Sequence, residues 1–464
     1  MTTESPSSTL PEHAPPAAQV ASSQPETPLP SLRHQLGGWL ILTGLVLQIA
    51  SFMLPWLPSP LVSLLLWSGA ITLWPDIPRR NQWQAGILAG LGVLMLMAAK
   101  LVYGGDIDAW HVLDGNTFVV TMLVGVSFIS LIGRPPQESQ PKGPPITGKR
   151  GLIGTWLGVH LLGAILNLST MFVIGDRLER RGPLNDPQLL ALNRGLCSAA
   201  MWSPFFAAMG VVISLTPDIQ FTTMVMVGLP VALAGGLFSI FELSRRFDLS
   251  TTPGFSLSPR SLLMPAGMAA LVLLFHYLIT PNLTIVAIIT FLMPGIAILA
   301  NLLRGSLVLR QRIQRHRHFR LPAMRGEITL FLCAGLLTKG MSSLVTAATQ
   351  GNWTLFPVFD TSAAILSFLG IVASAIAGLH PIIGVSVLAS MLDLGSINQN
   401  LFGFVALASW GVGTAVGPLS GTNLSLQGRY GISGYRMMRN NLLYALFMSL
   451  LVMVAITCLA NSTG

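Results

Sequence analysis

The feature that most constrains this chain is its division into long apolar segments joined by short polar loops. Apolar segments fall near 36–58, 61–75, 84–103, 117–133, 151–175, 195–216, 223–243, 261–280, 282–303, 326–345, 361–394, 401–426 and 441–460. A helix needs about 20 apolar residues to cross the hydrocarbon core of a bilayer. Only 9% of the 464 residues are charged and 52% are hydrophobic, whereas a soluble domain carries about 25% charged residues. Backbone polar groups in lipid must be satisfied within the segment, so runs of this length fold as helices. The expectation is an all-α integral membrane protein with about 11 to 13 transmembrane segments. The run 361–394 exceeds one span and is expected to bend at Gly378-Leu379-His380-Pro381, where Pro381 removes a helix hydrogen bond.

The net charge of +9 does not point to nucleic acid, because the basic residues form short clusters between apolar segments and no contiguous basic face with interleaved aromatics exists. Such clusters mark cytoplasmic loops. Residues 1–32, rich in Pro, Ser, Glu and Ala, read as a disordered cytoplasmic tail that ends at Arg33 and His34. An N-terminal transmembrane block, 33–134, follows, then a Pro-rich linker, 135–150. The most basic loop, 304–325, is placed in the cytoplasm, and the whole chain in the inner (cytoplasmic) membrane as a multi-pass protein. Cys197, Cys333 and Cys458 all lie in apolar stretches without metal or disulfide spacing. No metal or other cofactor is expected.

The remaining sequence contains an internal similarity, which divides it into repeats at 151–303 and 326–464. Gly158-Val159-His160 matches Gly378-Leu379-His380, 220 positions later, and at the same offset Met171 meets Met391 and Gly175 meets Gly395. Past an extra loop holding Arg177, Arg180 and Arg181 the offset becomes 208, and Trp202 meets Trp410. The basic loop follows the first segment in copy one but the second segment in copy two, at Arg429, Arg436 and Arg439. Equivalent segments therefore run in opposite directions, an inverted-topology repeat. Four N-terminal spans from a cytoplasmic start conflict with a basic loop after 151–175. Either that segment is a re-entrant hairpin, the reading preferred here, or a short segment such as 61–75 does not cross.

Polar residues at helix breaks are the candidate site. Gly417-Pro418 interrupts an apolar segment and Ser420, Gly421, Thr422 and Asn423 follow at once. In copy one the counterparts are Asn167, Ser169 and Thr170, with Ser203-Pro204 after Trp202. Broken helices free N–H groups that attract anions and carbonyls that coordinate cations. The alternative is a small-residue packing face or hydroxyls bonded to their own helices.

Duplicated halves, each with an apolar hairpin and a discontinuous helix bearing Ser, Thr and Asn beside Gly and Pro, resemble the ion-transporter superfamily of anion transporters and antiporters over about 151–464. Members of its dicarboxylate branch carry a Ser-Asn-Thr type motif in both halves. Here the nearest stretches are Asn167-Leu168-Ser169-Thr170 and Ser420-Gly421-Thr422-Asn423, in non-equivalent places.

Ionisable residues within spans are costly and often functional. His160, His380 and Asp393 are candidates for coupling an ion, against structural histidines and a loop acid. Lys339 either pairs with a solute carboxylate or extends to the interface. Glu242, ahead of Arg245 and Arg246, reads as an interfacial ion pair. The expected function is secondary active transport of a small anionic solute, coupled to H⁺ or Na⁺, with the bilayer and the solute as partners and a homodimer left open. No Gly-x4-Gly-Lys-Ser/Thr loop for a nucleotide is present. The alternatives are a membrane-embedded enzyme acting on a lipid-linked substrate and a non-transporting scaffold. The enzyme is disfavoured because no His-plus-acid motif stands out.

Overall fold

The computed structural model describes residues 31–54, 56–132, 146–351 and 353–463. The N-terminal tail up to residue 30 and most of the Pro-rich linker lie outside the described residues. The fold is all-α apart from a two-residue antiparallel pair, Ile146–Thr147 with Pro253–Gly254. Nine of the described helices are long and apolar enough to cross a membrane. The higher count expected from sequence included the short segments that form hairpins and half-helices instead.

The chain begins with α1 (Leu32–Met53), α2 (Ser59–Leu73), α3 (Arg79–Leu101), α4 (Ala109–Leu113) and α5 (Thr117–Ser127). Helix α2 is about 22 Å long at 1.5 Å per residue and folds back along α1, with Leu73 against Gly37 and Leu66 against Gly44. After the linker come α6 (Gly148–Leu166), α7 (Leu168–Glu179), α8 (Asp186–Ala199), α9 (Ala207–Leu215) and α10 (Phe221–Arg246). Next are α11 (Pro259–Leu274), α12 (Ile285–Leu302), α13 (Ser306–Arg315), α14 (Leu321–Ala323) and α15 (Arg325–Thr349). The last are α16 (Thr361–Ile376), α17 (Pro381–Ser390), α18 (Gln399–Val416), α19 (Gly421–Tyr430) and α20 (Gly434–Thr463).

Packing sorts these helices into two groups. Helices α12 and α15 join the N-terminal block, α12 on α5 and α15 along α3. The α3–α15 contact is close because Gly92 faces the Leu336–Leu337 backbone and Gly340 faces that of Gly92: a Cβ on Gly340 would lie 2.4 Å from the Gly92 carbonyl. Small residues at such crossings let helices approach without a hydrophobic drive between them. The second group is α6–α10 with α16–α20. Within it α6 packs on α8 as α16 packs on α18, and α10 on α8 as α20 on α18.

Each half of the second group opens with a hairpin. Helices α6 and α7 are antiparallel legs, with Gly158 opposite Ile174 and Gly163 opposite Thr170. The turn is Asn167, at φ 53° and ψ −142°. Helices α16 and α17 form the other hairpin, with Gly384 against Ile371. Its turn is at the expected place: Gly378 has φ 107°, a conformation open to glycine and strained for other residues, and Pro381 starts α17 where its missing N–H is no loss.

Candidate functional site

The two breaks read from sequence are present. Helix α8 ends at Ala199 and α9 starts at Ala207, around Ser203-Pro204; α18 ends at Val416 and α19 starts at Gly421, around Gly417-Pro418. Each hairpin tip rests on the break of its own half. The Asn167 side-chain amide donates to the Phe205 carbonyl at 3.0 Å, and Gly378 abuts Leu419. The two broken helices cross antiparallel: Asn193 meets Asn423, Cys197 and Met201 meet Gly411, and Val212 meets Gly403.

The structural register differs from the sequence offset. His160 lies inside a hairpin leg, while His380 caps α17. Trp202 lies in a break, while Trp410 lies within α18. Matching the hinges instead would pair Asn167 with Gly378. Gly- and Ala-rich segments offer many near-equivalent alignments, and the break positions discriminate among them. The His–Trp pairing nonetheless recurs in contact. Trp202 Nε1 donates to His160 Nε2 at 3.2 Å, and the His380 and Trp410 rings meet edge to face at 5.3 Å.

The predicted residues differ in how much of their polar capacity is used. Asn423 is fully buried and saturated: its amide donates to the carbonyls of Ala415 (3.2 Å) and Gly417 (2.8 Å), and its oxygen accepts from Asn193. Ser420 caps α19 by accepting from the Asn423 N–H at 3.2 Å. Ser203 donates to the Ala164 carbonyl and accepts from Phe205 N–H. Thr422 is buried beside the Cys197 thiol. A Cβ on exposed Gly421 would meet no atom within 4 Å. At the first tip, Asn167 Oδ1 and Thr170 Oγ1 are buried without a protein partner, and Ser169 accepts from Arg320.

Of the ion-coupling candidates, His160 has both ring nitrogens engaged. Nδ1 lies 3.1 Å from the Gly195 carbonyl and 3.0 Å from Ser198 Oγ, and the ring stacks on Trp156 at 4.6 Å. His380 Nδ1 accepts from Ile382 N–H at 3.2 Å. Asp393 is exposed and closes a loop by accepting from Gly395 N–H, outside both breaks. Lys339 Nζ lies 2.7 Å from His111 Nε2, on α15.

Sequence reasoning missed the centre of the polar network. Arg194, with no solvent exposure, donates to Glu242 at 2.7 Å, to Asn441 Oδ1 at 2.8 Å and to the Asn440 carbonyl at 3.1 Å, and lies over the Tyr444 ring at 4.7 Å. Asn441 in turn donates to Asn193 and to the Ala415 carbonyl. A continuous chain of hydrogen bonds therefore joins a buried ion pair to the second break. Glu242 is accordingly 6% exposed and held by Arg194 and Arg246, rather than in a pair confined to its own helix end. The available signal was Asn193-Arg194 at the head of one apolar segment and Asn440-Asn441 at the head of another.

These features define an all-α, multi-pass membrane protein with paired hairpins and broken helices. No family model matches the chain, and no curated protein is similar to it. Among solved structures it is similar to the crystal structure of the Alcanivorax borkumensis YdaH transporter, described as having an unusual topology. The identity is 14% and the TM-score 0.41, over 92% of this chain and 98% of that one.

Proposed function

We propose that the chain is a secondary active transporter that moves a small anionic solute across the cytoplasmic membrane, coupled to H⁺ or Na⁺, and that it catalyses no covalent reaction. The observation that carries this reading is the pairing of each hairpin tip with a helix break, on two broken helices that cross antiparallel. An inverted-topology repeat produces that crossing, and it lets one central site be reached from either side in turn. Breaks in lipid are costly and persist where protein, a cavity or a ligand satisfies the freed groups. The solute site is then between the tips and the breaks, lined by Asn167, Ser169, Thr170, Ser420, Gly421 and Thr422, with Ser203 and Asn423 holding the breaks open.

The same reading sets sidedness. One end of the repeat pair is tied by Asp176–Arg429 and Asp186–Arg436, and Arg177, Arg180, Arg181, Arg245 and Arg246 cluster there; the other is tied by Asp218–Gln399 and Gln220–Asn400. The arginine-rich end is the cytoplasmic one. The test is to reconstitute the purified protein in liposomes, impose a Na⁺ or pH gradient, and measure by mass spectrometry which solutes of a cellular extract accumulate. Gradient-dependent uptake of an organic anion is expected. If no solute accumulates, and a lipid-linked glycan or acyl donor is consumed instead, the enzyme reading takes its place.

A further inference from the structure

Buried polar side-chain atoms without partners are rare in folded proteins, and each one calls for an explanation. Three of them belong to the first hairpin tip or to the arginine that touches it: Asn167 Oδ1 and Thr170 Oγ1 on the tip, and Nε of Arg320, whose Nη2 reaches Ser169. Thr170 is 1% exposed. Arg320 ends the π-helical stretch His316–Arg320 that joins α13 to α14, in the segment read from sequence as a basic cytoplasmic loop. Among the described residues its guanidinium makes one hydrogen bond, from Nη2 to Ser169 Oγ. Glu327 and His316 lie within electrostatic reach of it, but neither makes a contact ion pair or hydrogen bond with it.

A guanidinium presents five donors in a planar fork that matches a carboxylate bidentately. At Arg320 the Nη2 corner is held by a single hydroxyl and the adjacent Nε is unused, so one edge of the fork is available to a two-oxygen acceptor that displaces Ser169. The Asn167 side chain is oriented by its bond to the Phe205 carbonyl, which leaves its oxygen as an acceptor in need of a donor. We propose that Arg320 is the specificity-determining residue of the solute site. Its ligand is a monocarboxylate with a neighbouring N–H or O–H donor, that is, a hydroxy or amino acid. The carboxylate takes the Nε–Nη2 edge of Arg320, and the donor takes Asn167 Oδ1, with the Thr170 hydroxyl beside it. This assignment rests on the transport reading for its physiological meaning but concerns binding alone.

The test uses the full-length purified protein, with L-lactate, glycine and acetate as probes and thermal unfolding plus phenylglyoxal modification as readouts. Lactate or glycine at millimolar concentration should raise the unfolding midpoint more than acetate does. Either should slow modification of Arg320, read by peptide mass spectrometry, at least threefold. Arg320→Gln should weaken the response at least tenfold, Arg320→Lys should retain part of it, and Ser306→Ala, at the exposed start of α13, should leave it intact. Phenylglyoxal protection needs no variant, so a misfolded Arg320→Gln does not remove the test. The proposal is overturned if none of the three probes stabilises or protects the wild type, if acetate equals the donor-bearing acids, or if Arg320→Gln responds like wild type. Arg320-dependent binding without any uptake into liposomes would sink the transport reading and leave this assignment standing. Uptake that survives Arg320→Gln unchanged would do the reverse.

Discussion

Asn193 on α8 donates its side-chain amide to the side-chain oxygen of Asn423 on α19 at 2.8 Å, with both residues fully buried. The bond ties the unbroken part of one discontinuous helix to the break of the other. Through Asn441 it continues to the Arg194–Glu242 pair. The second break is thus held by a side-chain framework supplied from α8, α10 and α20.

Asn423→Ala removes one of the donors to each of the Ala415 and Gly417 carbonyls, which keep Asn441 and the Ser420 N–H respectively, and orphans the Asn193 amide. A buried polar group left without its partner costs about 1–3 kcal/mol. The variant should unfold at a clearly lower temperature in detergent than wild type, and Ser169→Ala should not. If Asn423→Ala keeps wild-type stability and loses only solute binding, the side chain is a ligand rather than a brace.

Glu242→Gln is expected to be more damaging than any surface charge change. It leaves the Arg194 guanidinium, with no solvent exposure, facing a neutral amide. Breaking a buried pair by removing one partner costs roughly 3–5 kcal/mol. Arg436→Gln breaks only the exposed pair with Asp186, worth about 0–1 kcal/mol. Comparing the unfolding midpoints of the two variants checks the ranking, and equal midpoints would contradict it.

His316 lies between the candidate spans, buried, with Nε2 3.0 Å from Ser127 Oγ and its ring 4.6 Å from that of Phe128. Burial, reinforced by the Arg320 charge, pushes its pKa down to about 3. The unfolded chain therefore binds a proton near pH 6.5 that the folded chain refuses. Its contribution is complete above about pH 6.5 and is lost as pH falls from there toward 3. At pH 5 the loss is about 2 kcal/mol. The unfolding midpoint should drop between pH 7.5 and pH 5, and His316→Gln should flatten that drop. An unchanged pH dependence in the variant would remove His316 as its source.

The sequence was most legible where chemistry is local. The Gly378–Pro381 turn and the breaks at Ser203-Pro204 and Gly417-Pro418 follow from what Gly and Pro do to a helix, and all three are where the residues put them. The hairpin at 151–175 followed from charge alternation, and the structure supplies its antiparallel legs. Tertiary partnerships were not legible. Nothing about Asn193, Arg194 and Asn441 in isolation says that they meet one another, since their separations approach 250 positions. Arg320 was hidden for a different reason: in a run of basic residues every arginine reads as a loop anchor, and only its contact with Ser169 sets it apart. The sequence offsets and the helix breaks pair different residues because small apolar residues match at several offsets, whereas a break is a backbone property.

The antiparallel crossing of the broken helices makes a prediction about sidedness that composition alone does not. If α6–α10 and α16–α20 are inverted copies, the starts of α8 and α18 lie on opposite sides of the membrane. Pro183, just before α8, and Ser396, just before α18, are both exposed. In a background with Cys458, the one exposed native cysteine among the described residues, replaced by Ser, single cysteines can be placed at either position and probed in intact cells with a membrane-impermeant maleimide. Ser396→Cys should be labelled from outside. Pro183→Cys should be labelled only after permeabilisation, and so should Gln311→Cys in the basic segment, because arginine-rich loops stay in the cytoplasm. Labelling of Ser396→Cys and Pro183→Cys from the same side would mean that the copies are parallel. The crossing of Asn193 with Asn423 would then have to come from a helix that reverses direction at its break, and a site reached alternately from both sides would lose its structural basis.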